Sequence, residues 1–300
     1  MILLAALAWT GAVALAQRAS QSAARWQSAV NQLDQSAGSA PSARVLVLDI
    51  NSGQWLAAAH RVEASRTLAT PGSTLKPLLL YFALQSGRWS PERRIACHRQ
   101  MDLGTHQLNC SHPRTDPMNA QQALTWSCNA YFAAMAATLT PEQLRQALSE
   151  RGLLAATGLA PEESMATLRP PRTPEQLQLA ALGVEGIRVT LPELAEAYRS
   201  LAADLAAHAQ TTAARTVAAG LADSAEFGMA GAASLGGVSI AGKTGTASAE
   251  SGGRTHGWFV GLAPAAAPQV VVAVYLPVGN GADAARVAAH LLAHSPLRKP

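Results

Sequence analysis

Three short motifs of this 300-residue chain carry side chains that together could perform acyl transfer. They are Ser73-Thr74-Leu75-Lys76, Ser127-Cys128-Asn129 and Lys243-Thr244-Gly245-Thr246. The set supplies a nucleophilic hydroxyl, two amines, a second hydroxyl, a carboxamide and a glycine in a predicted strand. A serine nucleophile that lacks a histidine base needs another group, such as an amine, to take its proton. It also needs N–H donors for the negative charge that develops on the attacked carbonyl oxygen.

The first motif opens a predicted apolar helix. Pro71-Gly72 breaks the chain directly before Ser73, and residues 75–84 are apolar on every side, which is typical of an interior helix. We expect Ser73 on the first turn, where free backbone N–H groups favour negative charge. Lys76 lies three residues later and therefore shares the face of Ser73. Burial should lower the pKa of Lys76, so that its neutral amine can act as a general base.

The second motif lies between two predicted apolar helices. In a turn or an extended segment, Ser127 and Asn129 point to the same side. We therefore expect both side chains to face one cleft, where Ser127 relays a proton and Asn129 binds a substrate amide. A simple helix cap is the competing interpretation for both residues.

The third motif reads as a strand. Gly245 leaves room for a substrate backbone to lie alongside as an added strand. Lys243, Thr244 and Thr246 offer a cation and hydroxyls to a carboxylate, and we expect the N–H of Thr246 to join that of Ser73 as the oxyanion hole. An edge strand carrying an ordinary lysine is the competing interpretation. A phosphate-binding loop is excluded, because the Gly-x-x-x-x-Gly spacing is missing before Lys243.

The composition is that of a globular protein with a substantial core. Apolar residues make up 49% of the chain and charged residues only 14%, and the formal net charge is +4. No run of Lys and Arg interleaved with aromatic residues occurs, so we expect no nucleic-acid partner.

The amino-terminal segment predicts export or membrane attachment. Residues 1–17 carry no charged side chain, and Ala14-Leu15-Ala16 has the form of a signal-peptidase site. The apolar stretch is short for a span, which needs about 20 residues. We predict an export signal or short anchor over residues 1–17, membrane contact through it, and a location in the periplasm or cell envelope. A buried helix is the alternative. Residues 18–42 read as a linker with a possible helix over 23–35.

The cysteines agree with an extracytoplasmic location. Cys97 and Cys110 flank a polar, loop-like stretch, and we predict that they form a disulfide. Because His106 and His112 lie close by, a zinc site is the competing interpretation. No Cys-x-x-Cys or His-x-x-x-His spacing supports a metal, so we predict no metal site and no cofactor. Cys128 is left unpaired.

The pattern of predicted elements indicates an α+β fold. A hairpin at residues 44–59 comes first, and the middle of the chain is mostly helical, with capping signals at Thr140, Thr173 and Thr190. Strands follow at 238–247, 256–262 and 270–276, and a last helix at 282–293. We therefore expect one antiparallel sheet with strands from both chain ends, and a helical lobe over about 85–225 inserted between them. A cleft should lie between lobe and sheet.

Taken together, the motifs resemble those of the transpeptidase domain of penicillin-binding proteins. The resemblance spans about residues 45–276. It rests on the segments 71–77, 127–132, 186–190 with 194–198, 241–247 and 256–261. It implies a β-lactamase/transpeptidase-like domain over residues 43–300, built on a five-stranded antiparallel sheet flanked by helices. We expect a minimal, stand-alone domain, with no glycosyltransferase domain or long dimerisation module before it.

The resemblance also implies an activity and site residues. The activity is an acyl-enzyme reaction on the D-Ala-D-Ala stem peptides of peptidoglycan, inhibited by β-lactams. By position, the catalytic residues are Ser73 as nucleophile, Lys76 as base and Ser127 as proton relay. The substrate-binding residues are Asn129, Lys243, Thr244, Gly245 and Thr246.

Three functions remain open at this stage. The first is a D,D-transpeptidase or D,D-carboxypeptidase. The second is a serine β-lactamase of the class D kind, in which Lys76 would be carboxylated, and the third is a non-enzymatic penicillin sensor. The middle motif is Ser-Cys-Asn rather than Ser-Asp-Asn, and no Glu-x-x-x-Asn follows it before Lys243. The missing glutamate motif argues against a class A β-lactamase.

Overall fold

The computed structural model describes residue 17 and residues 20–33, 42–248 and 253–298. Over these residues the strands are β1 (Arg44–Asp49), β2 (Trp55–Ala59), β3 (Gln100–Leu103), β4 (His106–Asn109), β5 (Thr167–Leu168), β6 (Ile187–Arg188), β7 (Ala241–Ser248), β8 (Thr255–Ala263) and β9 (Val270–Leu276). The helices are α1 (residues 20–33), α2 (Arg61–Arg66), α3 (Lys76–Gln85), α4 (Ala120–Thr125), α5 (Asn129–Ala136), α6 (Pro141–Ser149), α7 (Pro174–Ala181), α8 (Leu191–Ala207), α9 (Thr212–Glu226) and α10 (Gly281–Ala293).

Strands from both chain ends form one antiparallel sheet in the order β2-β1-β9-β8-β7. The α+β class and the five-stranded sheet expected from the sequence are confirmed. The strand β7 begins at Ala241 rather than at 238 and lies at the edge of the sheet. The third motif therefore has one neighbouring strand, β8, and an opposite edge that faces the helical part of the chain.

The sheet separates two apolar cores. Alternate residues of β1 belong to opposite cores: Leu46 and Leu48 pack on the side of α3 and α8, while Val45 and Val47 pack on the side of α1 and α10. Because side chains alternate across a strand, a strand covered on both faces needs apolar residues throughout. This explains why β1 and β9 read as continuous apolar runs.

The helices between β2 and β7 begin where the sequence predicts. Thr140, Thr173 and Thr190 each accept a hydrogen bond at the side-chain oxygen from the backbone N–H three residues later, and a proline follows within two residues. The helix α3 is buried from Lys76 to Leu84, as expected for a helix that is apolar on every side. It runs through the larger core and carries the first motif toward β7.

The first motif differs from its predicted conformation. Ser73 does not lie on the first turn of an α-helix but in a 3₁₀ turn, Gly72–Leu75, and α3 begins only at Lys76. The reason is Pro77, which has no N–H to donate to Ser73 O. The N–H of Lys76 donates to Ser73 O instead, one residue earlier, which is the 3₁₀ pattern.

The predicted cysteine pairing is corrected by the structure. Cys97, Cys110 and Cys128 are all free thiols, so the predicted Cys97–Cys110 disulfide is not formed. The hairpin β3–β4 does bring Cys97 and Cys110 together, as their spacing suggested. Their sulfur atoms, however, contact other groups: Cys97 Sγ lies 3.6 Å from Nε2 of His112, and Cys110 Sγ accepts a hydrogen bond from the N–H of Asn129 (3.1 Å).

A helix is found where one was expected over 23–35, but α1 already includes residue 20, residues 34–35 lie outside the described residues, and Trp26, Ala29, Val30 and Leu33 are buried in the core. The predicted export signal or anchor over residues 1–17 lies outside the described residues except for Gln17. Among the helices that the structure describes, none combines the length and apolar character needed to cross a bilayer. The division of the chain at residues 17, 42 and 43 stays a prediction.

Two glycines with the same backbone conformation provide a test of how tightly the Ser73 turn is packed. Gly87 and Gly183 both have φ +68°, but a Cβ on Gly183 would lie 2.3 Å from Gly72 O, whereas a Cβ on Gly87 would meet nothing within 4 Å. We expect Gly87→Ala to lower the free energy of unfolding by about 1–2 kcal/mol, the cost of the left-handed conformation. Gly183→Ala should cost several kcal/mol more, because backbone must move.

Urea unfolding of the two variants measures this difference directly. Equal losses for Gly87→Ala and Gly183→Ala would contradict the close backbone contact between residues 72 and 183.

Candidate active site

The turn that carries Ser73 packs backbone to backbone against β7. A Cβ on Gly245 would lie 2.5 Å from Pro71 O, and a Cβ on Gly72 would lie 2.9 Å from Thr246 O. Glycine is therefore required at both positions for the chains to approach this closely. Ser73 is half-buried, and in the described part of the chain its hydroxyl makes no hydrogen bond. The first and third motifs are thus in direct backbone contact, and the hydroxyl of Ser73 is left free for a ligand.

Lys76 is completely buried and donates hydrogen bonds to the second motif. Its Nζ lies 2.6 Å from Asn129 Oδ1, 2.7 Å from Ser127 O and 3.3 Å from Ser127 Oγ. Nζ also lies 5.2 Å from the ring centroid of Phe132. The first and second motifs therefore share one polar network inside an otherwise apolar region.

Lys243 reaches the same hydroxyl from the sheet. Its Nζ donates to Ser127 Oγ (2.8 Å) and to Thr244 O (3.0 Å), and the side chain is completely buried. Ser127 Oγ therefore lies between two amines, one from α3 and one from β7. A hydroxyl placed this way can accept a proton from one amine and pass its own to a third group.

Burial weakens both bases. Desolvation lowers the pKa of Lys76 to about 8. Desolvation also lowers the pKa of Lys243 well below its usual value, and the positive charge of Lys76 lowers it further. An amine with a pKa near neutrality can take a proton from a serine hydroxyl and return it later. The base that the sequence predicts at Lys76 is therefore consistent with its surroundings.

Ser127 has a backbone conformation that non-glycine residues seldom adopt. Its φ is +56°, in the loop between α4 and α5. This conformation turns both Ser127 O and Ser127 Oγ toward Lys76 Nζ. Two contacts with one buried amine help to hold the strained conformation in place.

Asn129 is the first residue of α5, and its side chain is fixed at both ends. Oδ1 accepts from Lys76, while Nδ2 donates to the backbone oxygen of Asn109 (3.0 Å) at the end of the β3–β4 hairpin. The sequence analysis missed the part played by Asn109, because a backbone carbonyl supplied by a distant hairpin leaves no local signal. This contact also fixes the orientation of the carboxamide, with one N–H left for a ligand.

Thr244 and Thr246 lie on the opposite face of β7 from Lys243, as strand alternation requires. Thr244 is buried, and its hydroxyl donates to Met229 O (3.4 Å). Thr246 is exposed, and its Oγ1 accepts from the N–H of Gly281 (2.9 Å) at the start of α10. The hydroxyl proton of Thr246 therefore remains available to a hydrogen-bond acceptor on a bound ligand.

Three buried side chains hold the segment around Ser73 by hydrogen bonds to its backbone. Tyr198, on α8, donates its hydroxyl to Thr74 O (2.9 Å). Trp258 Nε1 and His256 Nε2, both on β8, donate to Thr70 O at 2.9 and 2.8 Å. Burial lowers the pKa of His256, which keeps its ring neutral. All three of these side chains fall in stretches that the sequence resemblance had included, Tyr198 in 194–198 and the other two in 256–261.

The comparisons with known proteins agree with this geometry. The family model described as the penicillin binding protein transpeptidase domain matches residues 43–294. A relative from Neisseria flavescens, described as a probable peptidoglycan D,D-transpeptidase PenA, is 27% identical over 286 residues, which covers 81% of this chain and 71% of that protein.

Solved structures share the fold. The apo transpeptidase domain of penicillin-binding protein 3 from Burkholderia pseudomallei superposes with a TM-score of 0.77 at 23% identity, covering 93% of each chain. The D,D-transpeptidase domain of a peptidoglycan glycosyltransferase from Eggerthella lenta gives a TM-score of 0.75 at 22% identity, covering 90% of this chain and 80% of that one. With the family model matched over most of its length, the chain belongs to the family of penicillin-binding protein transpeptidase domains.

Proposed function

We propose that this protein is a D,D-transpeptidase or D,D-carboxypeptidase that acts on the D-Ala-D-Ala ends of peptidoglycan stem peptides through an acyl-enzyme at Ser73. The observation that carries this proposal is the shared hydroxyl of Ser127, which lies within hydrogen-bond distance of Nζ of both Lys76 and Lys243. A serine three residues before one low-pKa amine, with a second such amine and a relay hydroxyl in the network of the first, supplies the groups that acyl transfer requires. No metal or cofactor takes part in the proposed reaction.

In the first step Ser73 Oγ attacks the carbonyl carbon between the two D-alanines. The hydroxyl proton passes to the neutral amine of Lys76, and the carbonyl oxygen takes the negative charge. We assign the oxyanion hole to the N–H groups of Ser73 and Thr246, because the Ser73 turn and β7 are in backbone contact beside the attacked carbon.

In the second step the C–N bond breaks and the terminal D-alanine leaves as an amine. Its nitrogen takes a proton from Ser127 Oγ, and Lys76 or Lys243 then returns a proton to that oxygen. The remaining N–H of Asn129 binds a carbonyl of the peptide. The acyl group then passes from Ser73 to an amine, which gives a cross-link, or to water, which gives a shortened peptide.

The substrate carboxylate has a suitable place beside β7. The free hydroxyl proton of Thr246 can donate to it, and the amino-terminal end of α10 lies next to Thr246 Oγ1. A cleft of about 600 Å³ opens at the end of β7, lined in part by Thr70, Arg169 and Ser248. This volume is in the range of ligand-binding sites and suits the rest of a stem peptide.

The surroundings of Lys76 favour this proposal over a class D β-lactamase. Three acceptors lie 2.6–3.3 Å from Nζ and need N–H donors. A carboxylated lysine would keep one N–H and bring a negative carbamate against these oxygens. The ammonium form of Lys76 has three N–H donors, one for each acceptor, and the neutral amine keeps two N–H donors and a lone pair that can accept from the Ser127 hydroxyl.

The proposed substrate also indicates where the protein works. Peptidoglycan lies outside the cytoplasmic membrane, so the proposal requires export. The apolar residues 1–17 suit an export signal or a membrane anchor, and the membrane contact stays part of the proposal.

Labelling with a fluorescent penicillin tests the nucleophile. We expect a covalent adduct that lasts for many minutes, is lost in Ser73→Ala and is unchanged in Ser86→Ala. Ser86 is the matched control because it lies at the other end of α3, where its hydroxyl donates to Phe82 O. The acyl-enzyme persists because a penicillin retains its leaving group and water attacks slowly.

The same experiment separates the alternatives. Decay of the adduct within seconds would favour a β-lactamase. A lasting adduct without release of D-alanine from a model pentapeptide would favour a sensor. Failure of the wild-type protein to label would overturn the proposal.

The pH dependence of acylation tests the base. Because Lys76 must be neutral, and its pKa is about 8, the rate constant for acylation by penicillin should fall about tenfold per pH unit below that pKa and level off above it. Lys76→Arg should abolish acylation, since a guanidinium stays protonated at these pH values. Stopped-flow measurement of acylation at pH values below and above about 8 tests the role of Lys76. A rate constant independent of pH would rule out Lys76 as the base.

A further inference from the structure

Three thiols and one imidazole meet in a buried cluster behind the second motif. The four residues are Cys97, Cys110, His112 and Cys128. Their sulfur and nitrogen atoms all lie within 4.8 Å of one another, and each side chain is at most 6% exposed. We propose that this cluster binds one Zn²⁺ ion, which the assigned transpeptidase chemistry does not itself require.

The type and number of the ligands fit zinc. Three cysteine sulfurs and one histidine nitrogen form one of the common sets for a structural, four-coordinate site. With bond lengths of about 2.3 Å to sulfur and 2.0–2.1 Å to nitrogen, tetrahedral geometry places a sulfur and a nitrogen roughly 3.6 Å apart. The distance between Cys97 Sγ and Nε2 of His112 is 3.6 Å.

The fold brings the ligands together from two segments. Cys97 and Cys110 flank the β3–β4 hairpin, in which Gln100 pairs with Asn109, so that the two thiols approach at its open end. His112 follows two residues after Cys110. The fourth ligand, Cys128, comes from the loop between α4 and α5. A metal at this point would tie the hairpin to that loop.

Backbone N–H groups point at two of the sulfur atoms. The N–H of Asn129 donates to Cys110 Sγ (3.1 Å), and the N–H of Arg99 donates to Cys97 Sγ (3.4 Å). Such donors stabilise a thiolate, the form of cysteine that binds zinc, and orient it around the metal. Neutral thiols packed in an apolar cluster would not require these N–H donors.

Without a metal, the two ring nitrogens of His112 have few hydrogen-bond partners. His112 is 1% exposed, its Nδ1 has no hydrogen-bond partner among the described residues, and the contact of Nε2 is a thiol at 3.6 Å. Leaving a buried polar group without a partner is unfavourable, because its hydrogen bonds to water are lost and not replaced. A bond from Nε2, the nitrogen that lies 3.6 Å from Cys97 Sγ, to zinc would satisfy that nitrogen and give the ring a fixed partner.

Zinc binding would affect the active site by holding the second motif in place. As zinc binds, the three thiols release their protons to solvent and the histidine stays neutral. Cys128 lies between Ser127 and Asn129, so fixing its sulfur fixes the short segment that presents both side chains to Lys76. The metal is a structural one with no open position for substrate, because four protein ligands complete its coordination.

Metal analysis of the untagged, full-length protein tests the site. We expect about one zinc ion per chain by plasma mass spectrometry, and three thiols that become reactive only after a chelator removes the metal. Replacement by Co²⁺ should give the sulfur-to-cobalt charge-transfer bands and intense visible absorption of a tetrahedral thiolate site. These readouts do not depend on transpeptidase activity, so they can succeed or fail separately from the proposed function.

Paired variants assign the ligand. His112→Ala should lower zinc affinity by at least about tenfold, whereas His112→Cys should keep the metal and shift the cobalt spectrum to that of four sulfurs. His98→Ala is the control, because His98 is exposed beside Cys97. A wild-type protein that is free of zinc and cobalt, or whose mass shows a Cys97–Cys110 disulfide, would overturn the proposal even if a variant fails to fold.

Discussion

The structure depends most on one polar contact, the hydroxyl of Ser127 held between the amines of Lys76 and Lys243. One amine comes from the helix α3 and the other from the edge strand β7, so the contact joins the helical lobe to the sheet. Both lysines are completely buried, and desolvation strongly disfavours two positive charges there. Burial therefore favours a network in which at least one amine is neutral. Such a network suits the base that we propose at Lys76, with no histidine needed.

The backbone around this network is arranged so that the side chains can meet. Pro77 forces a 3₁₀ turn at Ser73, and the glycines at 72 and 245 let that turn touch β7 directly. On the other side, Ser127 adopts φ +56° to present two oxygens to Lys76. Each departure from regular geometry costs some stability, and all of them lie at the point where the three motifs converge. Local strain concentrated at one place is typical of a functional site.

The sequence predicted what local signals control. The apolar runs of β1 and β9, the threonine caps of α6, α7 and α8, and the buried face of α3 all follow from short patterns. Long-range contacts were harder to predict. The contact of Asn129 with the carbonyl of Asn109 depends on how a distant hairpin docks. The disulfide prediction was wrong because spacing identified two neighbouring thiols but could not reveal that Cys128 and His112 join them.

The same cluster explains why cysteine is compatible with the middle position of the second motif. Ser127 and Asn129 turn their side chains to Lys76, whereas Cys128 is 0% exposed and turns the other way, toward Cys97 and Cys110. Its identity therefore leaves the side chains that contact Lys76 unchanged and affects only what lies behind them. A position that faces away from Lys76 is free to take whatever residue best fixes the loop. Positioning and chemistry are thus divided between adjacent residues of one short segment.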